Sequence, residues 1–137
     1  MSLLLDTNVI SELQRTRRHP DFQRWWEQQE LPDLWISVLT LGEVQRGIED
    51  LRARDAAHST ALQSWFDRIV SLFHDRILPV TADIAVIWGR MSGDRTRPPI
   101  DTLLAATAGA HDLTLVTRNT RDFAGLGISL LDPFERR

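Results

Sequence analysis

Apolar and polar positions along this chain fall into two regimes: short unbroken apolar runs, and longer stretches in which apolar residues recur every three or four positions. The first run, Leu3-Leu4-Leu5, stops abruptly at Asp6-Thr7-Asn8 and reads as a central parallel strand buried on both faces. Val9, Ile10 and Leu13 then predict a short helix over 9–14, which leads into the basic cluster Arg15, Arg17 and Arg18. Pro20 opens a second helix over 21–29 with Phe22, Trp25 and Trp26 on its apolar side, and 34–37 is a second short strand. Leu41, Val44, Ile48 and Leu51 give the core stripe of a helix over about 39–52, with Thr40, Glu43 and Gly47 on a neighbouring face. Leu62, Trp65, Phe66 and Ile69 do the same for a helix over about 56–72, and these two helices are expected to form an antiparallel hairpin.

A third strand over 77–80 is kept short by Pro79, and Thr81 caps a fifth helix over about 82–92. The loop 93–99 carries Arg95 and Arg97. Asp101 starts a sixth helix whose Ala105-Ala106-Thr107-Ala108 surface is small enough to lie close against a sheet. A strand over 113–117, a turn over 119–123 and a strand over 128–131 complete the chain. Alternating short strands and helices predict an α/β fold, a three-layer α/β/α sandwich around a central parallel sheet of about five short strands. The 137 residues fit a single domain spanning 1–137, with no repeat, linker or low-complexity segment.

Composition narrows the chemistry. There is no cysteine, which excludes disulfides and cysteine-ligated zinc, and His19, His58, His74 and His111 show no paired ligand spacing. No apolar run approaches the ~20 residues of a membrane helix and no leader pattern is present, so the expectation is a soluble, cytoplasmic protein without membrane contact. The net charge of −3, from 19 acidic and 16 basic residues, argues against a general charge-driven nucleic-acid binder. It leaves room for an enzyme that holds nucleic acid through bound cations and a local basic patch. Every basic residue is arginine.

In a parallel sheet the carboxyl ends of the strands share one edge. Asp6 after the first strand, Glu43 one turn into the helix after the second, Asp101 at a helix start, and the Asn119/Asp122 pair after the fourth strand therefore converge. Two carboxylates ~4 Å apart repel by about 1 kcal/mol in water and ~4 kcal/mol at an effective dielectric of 20. Such a cluster calls for divalent cations, and hard oxygen donors suit Mg²⁺ or Mn²⁺. A cation held by a few carboxylates and several waters activates water for in-line displacement at a phosphodiester. Taken singly, the residues have plainer readings: Asp6 and Asp101 as helix N-caps, Thr40-x-x-Glu43 as a capping box, Asp122 as a turn residue.

Jointly these stretches carry a family resemblance. Leu-Leu-Leu-Asp6-Thr7-Asn8-Val9-Ile10-Ser11-Glu12, Ser37-x-x-Thr40-x-x-Glu43-Val44-x-x-Gly47-Ile48, Ile100-Asp101-x-x-Leu104-Ala105-Ala106-Thr107-Ala108 and Leu115-Val116-Thr117-Arg118-Asn119-x-x-Asp122-Phe123 occur in the order seen in PIN-domain proteins. The chain resembles most closely the VapC/FitB-type ribonuclease toxins of bacterial toxin–antitoxin pairs. The resemblance implies a Mg²⁺-dependent endoribonuclease in which Asp6 and Asp101 bind the metal directly and Glu43 binds through water or acts as base. Asn8 and Thr117 match residues that orient the cluster. The fourth acidic position of many members falls on Asn119, so either three acids suffice with Asn119 as a neutral contact, or Asp122 reaches in from one turn later.

RNA must meet positive charge near the acidic edge, and Arg15, Arg95, Arg97 and Arg118 are the candidate contacts. The resemblance further implies a homodimer and a cognate antitoxin, a small DNA-binding protein whose tail covers the acidic site. Haloacid-dehalogenase-type phosphatases and response-regulator receivers also place Asp after a first strand, but both use a lysine and this chain has none. The remaining alternative is a catalytically degenerate PIN module that binds RNA or a protein partner without cleavage.

Overall fold

The structure, a computed structural model, describes residues 1–93 and 96–135. Five short strands, β1 (Leu3–Leu5), β2 (Leu34–Ser37), β3 (Ile77–Leu78), β4 (Thr114–Val116) and β5 (Leu130–Leu131), form one sheet in the order β3-β2-β1-β4-β5. Every pairing is parallel, with Leu3 beside Leu34 on one flank and Leu4 beside Leu115 on the other. Six helices accompany the sheet: α1 (Thr7–Leu13), α2 (Pro20–Trp26), α3 (Val38–Arg52), α4 (Ala56–Leu72), α5 (Ala82–Met91) and α6 (Pro99–Ala110).

Three consecutive leucines make the central strand because each has a core to enter. Strand geometry sends alternate side chains to opposite faces. Leu3 and Leu5 join Val9, Ile10, Phe22, Val44, Ile48, Phe66 and Phe73 on one face. Leu4 points the other way, against Leu104, Ala105, Ala108 and Phe123. The α/β/α sandwich expected from the sequence is thus observed, with α1 to α4 covering one face and the α5–α6 pair the other. Full burial of each such leucine contributes about 1.5–3 kcal/mol.

The chain moves outward from β1 to β2 and β3, then returns across β1 to build β4 and β5 on the other flank. The sheet therefore has its topological switch at the β1–β4 pair, where a crevice opens beyond the carboxyl ends of the strands. Asp6 leaves β1 there, and its N–H donates to the Val116 carbonyl of β4 at 2.9 Å.

Helix boundaries follow local chemistry. Asp55 caps α4 through the His58 N–H at 3.1 Å, and Thr81 caps α5 through the Ile84 N–H at 3.3 Å. Two prolines, Pro98 at the cap and Pro99 in the first turn, start α6 with a preset φ and no side-chain cap. Among the described residues no helix is long and apolar enough to cross a membrane.

Candidate active site

Asp6 sits where β1 turns into α1, in extended backbone (φ −73°, ψ 163°). Its Oδ1 accepts the Thr7 N–H at 2.7 Å, so the expected cap reading holds as far as it goes. The second oxygen has a different task. Oδ2 accepts the Thr117 hydroxyl at 2.8 Å and the Asn8 amide at 3.3 Å, and the Asn8 carbonyl oxygen accepts the Arg118 N–H at 3.1 Å. Thr117 Oγ1 also accepts the Asn119 N–H at 3.1 Å. The ends of β1 and β4 are thereby locked through one carboxylate that is only 7% exposed.

Glu43 comes from α3, and here the plainer capping-box reading does not hold. The helix begins one turn earlier than that reading requires: Ser37 is the cap, accepting the Leu39 N–H at 3.0 Å, and Thr40 already lies inside the first turn. Glu43 is left free of any capping task, and its Oε1 accepts the Thr7 hydroxyl at 2.5 Å. Thr40 Oγ1 is buried and has no hydrogen-bond partner among the described residues.

Asp101 is likewise not a cap. Because α6 starts at Pro99, Asp101 falls in its first turn, half-buried, and lines the same cleft as the groups of the other strand ends. A carboxylate in a first helical turn is favoured by the unpaired N–H groups there.

Asp6, Glu43, Asp101 and Asn119 line one open cleft of about 470 Å³ with Thr7 and Asn8, and Ser11, Glu12, Gln14 and Arg15 complete its wall. Asp122 does not line it; it is exposed on the 3₁₀ turn Thr120–Phe123, close enough for its charge to act on Asp101. Burial pushes the Asp6 carboxyl above the usual carboxylate range, against the opposing hydrogen bonds of Thr117, Thr7 and Asn8 and with the Glu43 charge adding to the rise. Burial also raises Asp101, and the negative charges of Asp6, Asp122 and Glu43 raise it further. Two carboxyls raised by burial and by neighbouring negative charge mark a site that positive charge would relieve.

The donor set is all oxygen, which suits Mg²⁺ or Mn²⁺. Among the described residues no three Asp, Glu, His or Cys side chains stand close enough to wrap an ion on their own. The arrangement fits a hydrated cation that keeps most of its waters and touches one or two carboxylates, the habit of Mg²⁺, and not a closed protein cage.

The candidate arginines divide by their commitments. Arg15 lines the cleft with an exposed side chain and a long contact of 3.4 Å to Glu12. Arg97 is strapped down, its guanidinium donating to the Asp122 and Ala124 carbonyls at 2.6 Å each. Arg118 is exposed, with its guanidinium 4.5 Å from the centre of the Phe134 ring. Arg95 lies outside the described residues.

Sequence reasoning missed Glu12 and Thr7 as members of the site. Glu12 is buried, accepting the His19 N–H at 2.8 Å and so fixing the chain between α1 and α2 beside the cleft. A signal was present: Glu12 stands three residues after Val9 and beside Leu13, on the face the apolar pattern assigns to the core. Thr7 carried no such mark, because only the fold brings Glu43 within its reach.

A family model described as PIN domain matches residues 3–128. Toxin FitB of Neisseria gonorrhoeae is 31% identical over 140 residues, covering 96% of this chain and 98% of that protein. The VapC ribonuclease Y4jK of Sinorhizobium fredii is 28% identical over 139 residues, covering 97% of this chain and 98% of its own. The solved structure of FitAB bound to an IR36 DNA fragment superposes with a TM-score of 0.88 at 28% identity, over 98% of this chain and 97% of that one.

Proposed function

The chain belongs to the PIN-domain family, alongside VapC/FitB toxins that include proteins named as ribonucleases, and from that premise we propose that it is a divalent-metal-dependent endoribonuclease acting as the toxin of a type II toxin–antitoxin pair. The observation that carries this reading is the meeting of Asp6, Glu43 and Asp101, from three separate segments, on one cleft at the switch point of the sheet.

Asp6 and Asp101 would hold the cation, Mg²⁺ or Mn²⁺, and Glu43 would contact it through water. Such a cation, when bound, supplies water activation and charge stabilisation at a phosphodiester. The chain's own residues do the rest. Thr117 and Asn8 fix the Asp6 carboxylate and hold it toward its charged form, since both hydrogen bonds favour the anion. The Thr7 hydroxyl orients Glu43, leaving its other oxygen to take a proton from an attacking water. Asn119 offers a neutral amide at the cleft wall, Arg15 on the same wall would meet phosphate, and Arg118, whose N–H is bound to Asn8, would do so from just outside it.

A partner antitoxin with DNA-binding capacity is supported by the likeness to FitAB on a DNA fragment; a tail of that partner covering the cleft is part of the same proposal. Homodimer formation belongs to the same reading. The neutral Asn119 is the one observation that favours the degenerate module.

The deciding experiment is RNA cleavage by the partner-free protein and by Asp6→Ala, with Mg²⁺ and with EDTA. Cleavage that disappears in both the variant and EDTA supports the metal nuclease. RNA binding without cleavage, unaltered by the substitution, overturns it in favour of the degenerate module.

A further inference from the structure

Arg118 is tied to the acidic cleft through its backbone, its N–H donating to Asn8 at 3.1 Å and its neighbour Thr117 holding Asp6 at 2.8 Å. Its side chain, by contrast, forms no hydrogen bond or ion pair with any described residue; its contact is the face of Phe134, 4.5 Å from guanidinium to ring centre. Among the described residues the guanidinium N–H groups are thus unengaged while the ring holds the group in place.

The ring is itself a fixed platform. Phe134 is 8% exposed, stacks on Phe22 with centres 5.1 Å apart, and takes the edge of His19 at 5.7 Å. Its N–H donates to Asp132 Oδ1 at 2.8 Å, which turns the chain after β5 so that the ring enters the core. Planar guanidinium over a ring face is held by cation–π attraction while keeping its in-plane donors for another acceptor.

Arg118 does not itself line the cleft, but it follows Thr117 and precedes Asn119, and its N–H is bound to Asn8 of the cleft wall. We infer that Phe134 is a positioning residue: it holds the Arg118 guanidinium, just outside that wall, to receive a phosphate of the RNA strand. This rests on the nuclease reading above and adds a residue to it. Pre-ordering a long, flexible side chain removes an entropy cost that binding would otherwise meet. Phe134 therefore acts on RNA affinity without touching RNA.

The test is a double-mutant cycle on the full chain, using Arg118→Gln, Phe134→Leu and their combination, with Phe134→Tyr as the ring-preserving variant. Binding of a labelled, mixed-sequence single-stranded RNA is followed in EDTA across a salt series, and cleavage is followed in Mg²⁺. Arg118→Gln is expected to weaken binding about five- to tenfold and to lower the salt slope by about 0.7, one phosphate contact on a single strand. Phe134→Leu is expected to weaken binding about threefold with the slope kept, Phe134→Tyr to bind as wild type, and the double variant to be no worse than Arg118→Gln. In cleavage, KM should rise with kcat unchanged. Additive effects, or a Phe134→Leu loss confined to kcat, overturn the inference while leaving the nuclease reading intact. Absence of both RNA binding and cleavage in the wild type overturns that reading and this inference together. Should Phe134→Leu fail to fold, the wild-type protein still decides: Arg118 Hδ resonances shifted upfield by the ring support the platform, and ordinary shifts overturn it.

Discussion

The Thr117 hydroxyl donates to Asp6 Oδ2 at 2.8 Å, joining the ends of two adjacent strands that lie 111 positions apart in the chain. The same oxygen accepts the Asn119 N–H, so one threonine fixes the buried carboxylate and the start of the turn that follows β4. Its hydrogen bond is also the largest influence opposing the rise that burial imposes on Asp6.

Thr117→Val keeps the shape and removes the hydroxyl. A hydrogen bond to a charged group contributes about 1.5–3 kcal/mol. The ionised form of Asp6 loses that support, so its carboxyl rises further and the acid limb of the activity profile moves to higher pH. Cleavage near neutrality is expected to fall about tenfold or more, by the usual 1.4 kcal/mol per decade. A kcat/KM profile for Thr117→Val that superposes on wild type along the acid limb would remove Thr117 from the account.

Asp101 gives a prediction of opposite sign for stability. Its carboxyl is raised in the folded chain, so between its ordinary value near 3.8 and its folded value the native state binds more protons than the unfolded one. Stability then declines as pH rises through that window, and the ionised side chain destabilises the metal-free protein at neutrality. Asp101→Asn should therefore raise the melting temperature at pH 7 in EDTA while abolishing cleavage. Asp101 is partly exposed, so solvent screening limits the gain to roughly a few tenths of a kcal/mol. Below about pH 4, where the wild-type acid is protonated too, the advantage should vanish.

The same argument predicts how divalent cations act on the fold. Mg²⁺ at a hundred times its Kd would stabilise the native state by about 2.7 kcal/mol. Thermal melts should rise with Mg²⁺ in the wild type and stay flat in Asp101→Asn. Equal rises in both would place the cation elsewhere.

Much of this was legible in the chain. Leu3-Leu4-Leu5 has no polar position to turn outward, so a doubly covered central strand was the consistent reading, and the apolar spacing of α4 located that helix well. The plainer cap readings of Thr40 and Asp101 fall for one reason. Short-range patterns weigh a residue only against its neighbours, whereas Ser37 and the Pro98-Pro99 pair had already set where those helices begin. Arg97 looked like its neighbours in an arginine-bearing loop, yet its two carbonyl partners lie 25 and 27 positions further on. Contacts of that range have no local signature, which also hid the Thr7–Glu43 and Arg118–Phe134 pairs.

Arg97→Met follows from that strap. Losing two donors to the Asp122 and Ala124 carbonyls loosens the turn that carries Asn119, at a cost of about 1–2 kcal/mol, given that the carbonyls can turn to water. The melting temperature should fall by several degrees, at about 4 °C per kcal/mol for a chain of this size. The salt slope of RNA binding should stay unchanged, because the guanidinium is occupied. A slope reduced by about 0.7 would instead return Arg97 to the phosphate contacts.

Thr40 separates structural cost from function most directly. Its hydroxyl is buried one turn before Glu43 without a partner among the described residues, and an unsatisfied buried polar group costs about 1–3 kcal/mol. Valine has the same shape and a similar helix propensity, so Thr40→Val should leave the melting temperature unchanged or raise it by a few degrees. If the hydroxyl is idle, cleavage should persist at the wild-type rate. A variant that gains stability and loses cleavage would show the opposite: the hydroxyl finds its partner only during turnover, and the cost borne at rest keeps a donor beside Glu43 for that step.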